Sequence, residues 1–347
     1  MGPELHRNLA WDQLLNAVTE ARTTIIVGAV DTGKTTLVQS IADEIGKAGR
    51  TCGIVDADMG QSDIGPPTTI GLGAVRGPIK ALGQAELIAI YFVGSISPDG
   101  YILQTVAGTK KMVERAQKMD LDHILVDTTG LIHGHLGETL KGHKIDLIEP
   151  DLLIFLERES ECGHLIGRFR NSSILKIIIL SPSYDVRNKT PIERREDRQK
   201  AFLCYFSKAC IKEIDLNGLY LVGFQLFWGL PYSEKERKTF SEKIDDVVVW
   251  AESVSDELHL VTVDPMQNLE QKRLKESMGK DRLFTYTLDD FENILVGIYD
   301  KHGECFSLGI IREIDFHKKS AVVEIADDRE DIFGLKFSRY KMEGYKP

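Results

Sequence analysis

The chain has 347 residues, 42% of them hydrophobic and 28% charged, with a formal net charge of −10. Those proportions are ordinary for a folded globular protein, and the length suits one large domain with a smaller companion. So acidic a chain is unlike proteins that coat duplex DNA, so a polynucleotide should be held at one end or over a few nucleotides.

No apolar run reaches the roughly 20 residues of a membrane span. The first fifteen residues lack the basic, apolar and cleavage segments of a secretory signal. Five scattered cysteines with no CxxC pair suit reduced thiols better than disulfides or a zinc site. The expectation is a cytoplasmic protein without a membrane segment.

An amphipathic helix is expected over residues 9–21, where Trp11, Leu14, Leu15 and Val18 recur at helical spacing. Short apolar runs then alternate with helical patterns. The runs are Thr24–Val27, Cys52–Val55, Leu87–Val93, His123–Val126, Leu152–Leu156 and Leu175–Leu180. The helical patterns cover 34–47, 103–119, 135–148 and 161–169. Continuous Ile/Val/Leu runs read as strands buried on both faces, so residues 1–212 predict an α/β domain with a doubly wound parallel sheet. From 213 to 347 short runs separated by turn signals predict a small, mostly β domain.

Between the first run and the first long helix lies Gly28-Ala29-Val30-Asp31-Thr32-Gly33-Lys34-Thr35, followed by Thr36. This is the GxxxxGK[ST] phosphate-binding loop in its proper strand–loop–helix setting. Its backbone N–H groups can cradle phosphates at the positive end of the following helix, so Gly28, Asp31, Thr32, Gly33, Lys34, Thr35 and Thr36 are the candidate nucleotide-binding residues. Lys34 would neutralise the β/γ oxygens, and the Thr35 hydroxyl would ligate Mg²⁺. The ligand would be ATP or GTP.

Such chemistry also needs carboxylates. Asp56, Asp58 and Asp127 stand at the ends of two predicted strands, which open into the same crevice as the loop. One could hold Mg²⁺ and another accept a proton from an attacking hydroxyl. Asp56 and Asp127 are the metal candidates and Asp58 the base, with the choice between Asp56 and Asp58 open; strand-end aspartates that only cap turns are the plainer alternative. His133, His135 and His143 lack a supporting ligand pattern and read as ordinary loop and helix residues. Residues 185–206 form an arginine-bearing segment in which Arg194 and Arg198 share a helix face, with Phe202 and Phe206 farther along. It suits a lid over a phosphoryl group, but Glu193, Glu196 and Asp197 sit among the arginines, and on charge pattern alone a salt-bridged surface helix is the stronger reading.

In order along the chain, these segments resemble the polynucleotide 5′-hydroxyl kinase family, which includes RNA kinases of pre-mRNA cleavage, tRNA splicing and pre-rRNA processing. The matching segments are the phosphate loop; Asp56-Ala57-Asp58-Met59-Gly60-Gln61 with Pro66-Pro67; and Phe92-Val93-Gly94-Ser95-Ile96-Ser97-Pro98. They continue with Asp127-Thr128-Thr129-Gly130, the arginine segment ending in Tyr205-Phe206, and Leu308-Gly309-Ile310-Ile311-Arg312-Glu313-Ile314-Asp315. The resemblance implies Asp58 as the base toward a 5′-hydroxyl, and Arg194 and Arg198 as lid arginines. It also implies Thr128, Gly130, Leu131 and Gln61 beside the acceptor. The implied partner is the 5′-OH end of single-stranded RNA or DNA, and protein partners stay open.

Three departures stand out. With the phosphate loop starting at Gly28, the N-terminal β domain of many relatives is expected to be absent. Leu131 replaces a clasp tryptophan, and Lys189, near Arg187, stands where an early lid arginine is usual. The rival readings are a nucleotide-binding scaffold in an RNA-processing complex and an ATPase or GTPase switch.

Overall fold

A computed structural model describes residues 5–183 and 187–342. The chain divides into two compact units, Met1–Tyr205 and Phe206–Pro347.

In the first unit the strands are β1 (Leu5–Arg7), β2 (Thr23–Gly28), β3 (Cys52–Ala57), β4 (Thr69–Val75), β5 (Glu86–Phe92), β6 (His123–Thr128), β7 (Leu152–Leu156) and β8 (Lys176–Leu180). The helices are α1 (Trp11–Glu20), α2 (Lys34–Lys47), α3 (Ile102–Gln117), α4 (Gly134–Ile148), α5 (Gly163–Phe169) and α6 (Pro191–Tyr205). The strands lie in the order β1-β8-β7-β2-β6-β3-β4-β5. The first six are parallel, and all of them but β1 are the double-faced apolar runs that suit a parallel sheet. Val38, Ile41 and Ile45 of α2 pack with Leu14 and Val18 of α1 on one face. Met112 and Val113 of α3, Ile145 of α4 and Leu165 of α5 pack on the other.

The sheet departs from the expected all-parallel form at one margin, where β4 and β5 join antiparallel. The sequence analysis missed β4 because Gly71 and Gly73 interrupt its apolar run. Close packing requires them: a Cβ on Gly71 would lie 1.9 Å from the Ile64 carbonyl oxygen, and one on Gly73 would lie 2.9 Å from Ala85 Cβ.

For the site, the decisive feature is the order β2-β6-β3. It sets the phosphate loop after β2 beside the carboxyl ends of β6 and β3, and the register places Asp56 directly across from Asp127.

The second unit is built on two sheets. Six strands lie in the order Tyr220–Val222, Gly334–Lys341, Ile294–Tyr299, Cys305–Asp315, Ser320–Ile325 and Cys210–Asp215. Four more run Leu230–Pro231, Val248–Val254, Glu257–Thr262 and Arg282–Thr287. Helices Glu234–Ile244 and Asn268–Ser277 bury Phe240, Ile244 and Leu274 against the smaller sheet. Among the described residues no helix is long and apolar enough to cross a membrane.

Candidate active site

The phosphate loop begins where β2, buried along its whole length, delivers the chain to a turn that admits no side chain. A Cβ on Gly28 would come within 2.6 Å of the Leu156 carbonyl oxygen and 2.8 Å of Thr32 Oγ1. Thr32, itself buried, closes the turn by donating to the Ala29 carbonyl at 2.9 Å. Gly33, at φ 85°, caps α2, so the loop wraps round the positive end of a 14-residue helix. The Lys34 ammonium donates to the Ala29 carbonyl at 2.7 Å. Burial lowers its pKa, while Asp127, Asp58 and Asp31 oppose that shift. Gly130 backs the loop from β6: a side chain there would meet the Val30 backbone at 2.7 Å.

The three aspartates hold different positions. Asp127 is buried and accepts the Thr35 hydroxyl on Oδ2 at 2.6 Å, while its buried Oδ1 has no hydrogen-bond partner among the described residues. Burial raises its pKa to about 6, against the Thr35 hydrogen bond and Lys34. Asp56 is also buried, and both its oxygens accept hydrogen bonds. Oδ1 accepts the Asp58 N–H at 3.0 Å. Oδ2 accepts the Asp63 and Ile64 N–H groups at 2.7 and 3.1 Å and the Ser62 hydroxyl at 3.1 Å. Burial, then Asp127 and Asp58, push its pKa up. Asp56 thus shapes the 58–64 loop: Oδ2 is taken up by three donors, and Oδ1, with one, keeps the lone pair that a metal would need. Asp58 is half-buried; its Oδ1 accepts the Gly60 and Gln61 N–H groups at 3.1 and 3.2 Å, and among the described residues nothing engages Oδ2.

These elements wall a cavity of about 750 Å³. Asp31, Gly33, Lys34, Thr35 and Thr36 form its floor, and Asp58 and Gln61 stand on one side. Gly130 and Leu131 contribute from the chain after β6, and Arg194 and Arg198 from α6. Thr128 is not in the wall: it is fully buried and its hydroxyl donates to the Ile26 carbonyl at 2.7 Å, bridging β6 to β2. The neighbouring Thr129 lines the cavity in its place, because successive residues of a strand face opposite ways.

Two contacts hold α6 over this floor. Arg194 pairs with Asp31 of the phosphate loop at 2.6 Å, and the Gln61 side-chain amide donates to the Arg194 carbonyl at 3.2 Å. Arg198 reaches the cavity with no ion pair or hydrogen bond among the described residues. Lys189 pairs with Asp197 at 2.8 Å, and Arg187 pairs with Glu193. Residues 185 and 186 of the expected lid segment lie outside the described residues. His133, His135 and His143 are exposed, and among the described residues no group of three or more His, Cys, Asp or Glu side chains is arranged to hold a metal.

The family model for the P-loop of the mRNA cleavage and polyadenylation factor CLP1 matches residues 28–208. The polyribonucleotide 5′-hydroxyl-kinase of Pyrococcus furiosus is 32% identical over 315 residues, spanning 89% of this chain and 86% of its own. This chain belongs to the CLP1 P-loop family. The polyribonucleotide 5′-hydroxyl-kinase of Methanocaldococcus jannaschii is 30% identical over 316 residues, 91% of this chain and 85% of its own. The fold also matches the solved complex of Clp1p with Pcf11p, at a TM-score of 0.62 and 12% identity over 95% of this chain and 77% of that one.

As a P-loop family member the chain binds a nucleotide, and two residues near its phosphate loop escaped the sequence analysis. Lys141 and Lys144 of α4 are both 1% exposed. Lys141 Nζ donates to the Thr129 carbonyl and, at 3.3 Å, to its hydroxyl. Among the described residues Lys144 Nζ has no hydrogen-bond partner. Burial drops the Lys144 pKa to about 8, against the pull of Asp58, Asp127 and Asp56. The signal was present in the periodicity: both lysines fall on the helix face that carries Leu140, Ile145 and Ile148.

Proposed function

We infer that the protein is a polyribonucleotide 5′-hydroxyl kinase: it transfers the γ-phosphoryl group of ATP or GTP to the 5′-hydroxyl end of RNA. One observation carries this reading. A carboxylate with an unengaged oxygen, Asp58 Oδ2, shares a cavity with the phosphate loop, Lys34 and two lid arginines. A nucleotide bound by the loop and a hydroxyl at Asp58 would then be neighbours, which is what in-line transfer needs. The kinase names of relatives at about 30% identity across most of the chain support the same conclusion.

The steps follow from the side chains. Loop N–H groups and the α2 terminus cradle the phosphates, and the Lys34 ammonium turns from the Ala29 carbonyl to the β/γ oxygens. The Gly60 and Gln61 N–H groups pin Asp58 so that Oδ2 accepts the 5′-OH proton. As the new oxygen–phosphorus bond forms, the γ-phosphorus–oxygen bond breaks and the nucleoside diphosphate leaves. Arg198, unpaired in the cavity, and Arg194, on exchanging Asp31 for phosphate, meet the developing charge. Leu131 and Thr129 wall the acceptor side.

The orphaned Asp127 Oδ1 beside Thr35 fits a hard, oxygen-seeking cation, so Thr35 and Asp127 are the magnesium residues of this reading. When bound, Mg²⁺ would neutralise charge on the β- and γ-phosphates.

The test separates a kinase from a hydrolytic switch. Nucleotide consumption is measured with no RNA, with 5′-OH RNA and with the same RNA already 5′-phosphorylated. A kinase consumes nucleotide strongly only with the 5′-OH form, whereas equal hydrolysis in all three would establish the switch.

A further inference from the structure

The second unit carries a loop held with unusual care. Glu252, fully buried on strand Val248–Val254, spends its whole carboxylate on one turn. It accepts the N–H groups of Phe227, Trp228 and Gly229 at 2.9, 3.2 and 3.3 Å, and the Trp250 indole N–H at 2.8 Å. Four donors converging on one side chain hold Phe227 at φ 72°, a conformation that costs a bulky residue free energy. Gly229 completes the turn, since a Cβ there would lie 2.6 Å from the Ser253 carbonyl oxygen. Strain maintained by a buried side chain marks a segment shaped for a task.

The turn presents Trp228, 69% exposed, over a pocket of about 370 Å³. That volume lies in the range of small-ligand sites. Tyr220 lines the same pocket, its ring laid across Gly334, where a Cβ would come within 2.2 Å of it. Lys319 completes the wall. Its ammonium stands 5.3 Å from the Phe227 ring centre and makes no ion pair among the described residues. Among the described residues no carboxylate side chain lines this pocket, in a chain of net charge −10. A flat aromatic face, a second aromatic wall and an unpaired lysine are the chemistry that takes a nucleobase with its phosphate. A cationic ligand would meet Lys319 head on, which disfavours the aromatic-cage alternative.

We propose that the pocket formed by Trp228, Tyr220 and Lys319 binds a nucleobase and adjoining phosphate of single-stranded RNA, giving the protein a second RNA contact; its role in the reaction rests on the kinase reading. The probe is a single-stranded RNA 20-mer carrying a 5′-phosphate, titrated without nucleotide by fluorescence anisotropy and by tryptophan quenching. Trp228→Ala should weaken binding by about 5- to 150-fold. Trp228→Phe should keep most of the affinity but lose the quenching. Lys319→Ala should weaken binding and reduce the slope of log K against log salt by about 0.7, the loss of one phosphate contact. Trp228 is largely exposed, so unchanged circular dichroism and melting are expected in each variant. A folded Trp228→Ala protein that binds the 20-mer as tightly as the parent overturns the proposal and leaves the pocket to a polypeptide ligand. So does a parent protein that binds no RNA. A parent that transfers no phosphate, yet binds RNA through Trp228, refutes the kinase reading alone.

Discussion

Replacing Lys144 with methionine should stabilise the protein and slow it. The Lys144 side chain is buried, its ammonium lacks a hydrogen-bond partner among the described residues, and its pKa is about 8 against 10.5 in an unfolded chain. The unfolded chain therefore binds more protons between pH 8 and 10.5, and stability rises with pH across that window as this penalty fades. Below pH 8 the penalty is present in full, on the order of 3 kcal/mol. Methionine fills similar space without a charge, so Lys144→Met should recover most of that at pH 7. For a unit of about 200 residues this corresponds to a rise in Tm of roughly 6–12 °C. The difference in Tm between variant and parent should shrink toward zero by about pH 10.5, where Lys144 is neutral in both states. The lost charge should also lower kcat about tenfold, less than the loss of a donor that touches the phosphates, because Lys144 acts through Asp58 and Asp127. Melting curves of both proteins in metal-free buffer from pH 7 to 10.5, with transfer rates at pH 7, provide the test. A lower Tm for Lys144→Met at pH 7, or a difference that does not change with pH, would refute the reasoning.

The other predictions concern the cavity itself. Lys34→Ala should abolish transfer and leave the melting curve nearly unchanged, since the ammonium makes one hydrogen bond to a loop carbonyl; near-normal transfer by the folded variant would remove Lys34 from its role. Asp58→Asn should lower kcat by about 10² or more with little loss of nucleotide affinity. Asp56→Asn should instead cost roughly 3 kcal/mol of stability, because an amide turns donors toward the N–H groups that Asp56 accepts. A silent Asp58→Asn beside a stable, inactive Asp56→Asn would reverse the two assignments. Leu131→Trp should lower the KM for a 5′-OH oligonucleotide with little change in kcat, as Leu131 is a half-buried wall residue where an aromatic face can stack a base. An unchanged KM in a stable variant would place the base elsewhere.

Much of the phosphate side of this site was legible in the sequence because it is made of consecutive residues. Gly28, Gly33, Lys34 and Thr35 define their own geometry once a strand precedes them and a helix follows. Parallel strands β2, β3, β6, β7 and β8 were legible too, since burial on both faces leaves unbroken apolar runs, whereas β1, Leu5-His6-Arg7, carries no such run. What could not be read depends on long-range contacts. The fixing of Asp56 by the Asp63 and Ile64 N–H groups follows from how the 58–64 loop folds back. Thr128 and Thr129 look alike in sequence, and strand alternation turned the first toward Ile26 and the second toward the cavity. The Arg194–Asp31 pair joins residues 163 positions apart, so charge pattern alone favoured a solvated surface helix over a lid. Strand β4 was hidden because close packing at Gly71 and Gly73 replaced the branched residues that mark a strand.

The central claim is that Asp58 and the phosphate loop serve one transfer to an RNA 5′ end. The most direct measurement incubates the protein with γ-labelled nucleotide, Mg²⁺ and a 5′-OH RNA oligonucleotide, then digests the RNA to locate the label. The account predicts label on the 5′-terminal nucleotide alone, reduced about 10²-fold or more by Asp58→Asn. Nucleotide hydrolysed to free phosphate with no label in the RNA would contradict it.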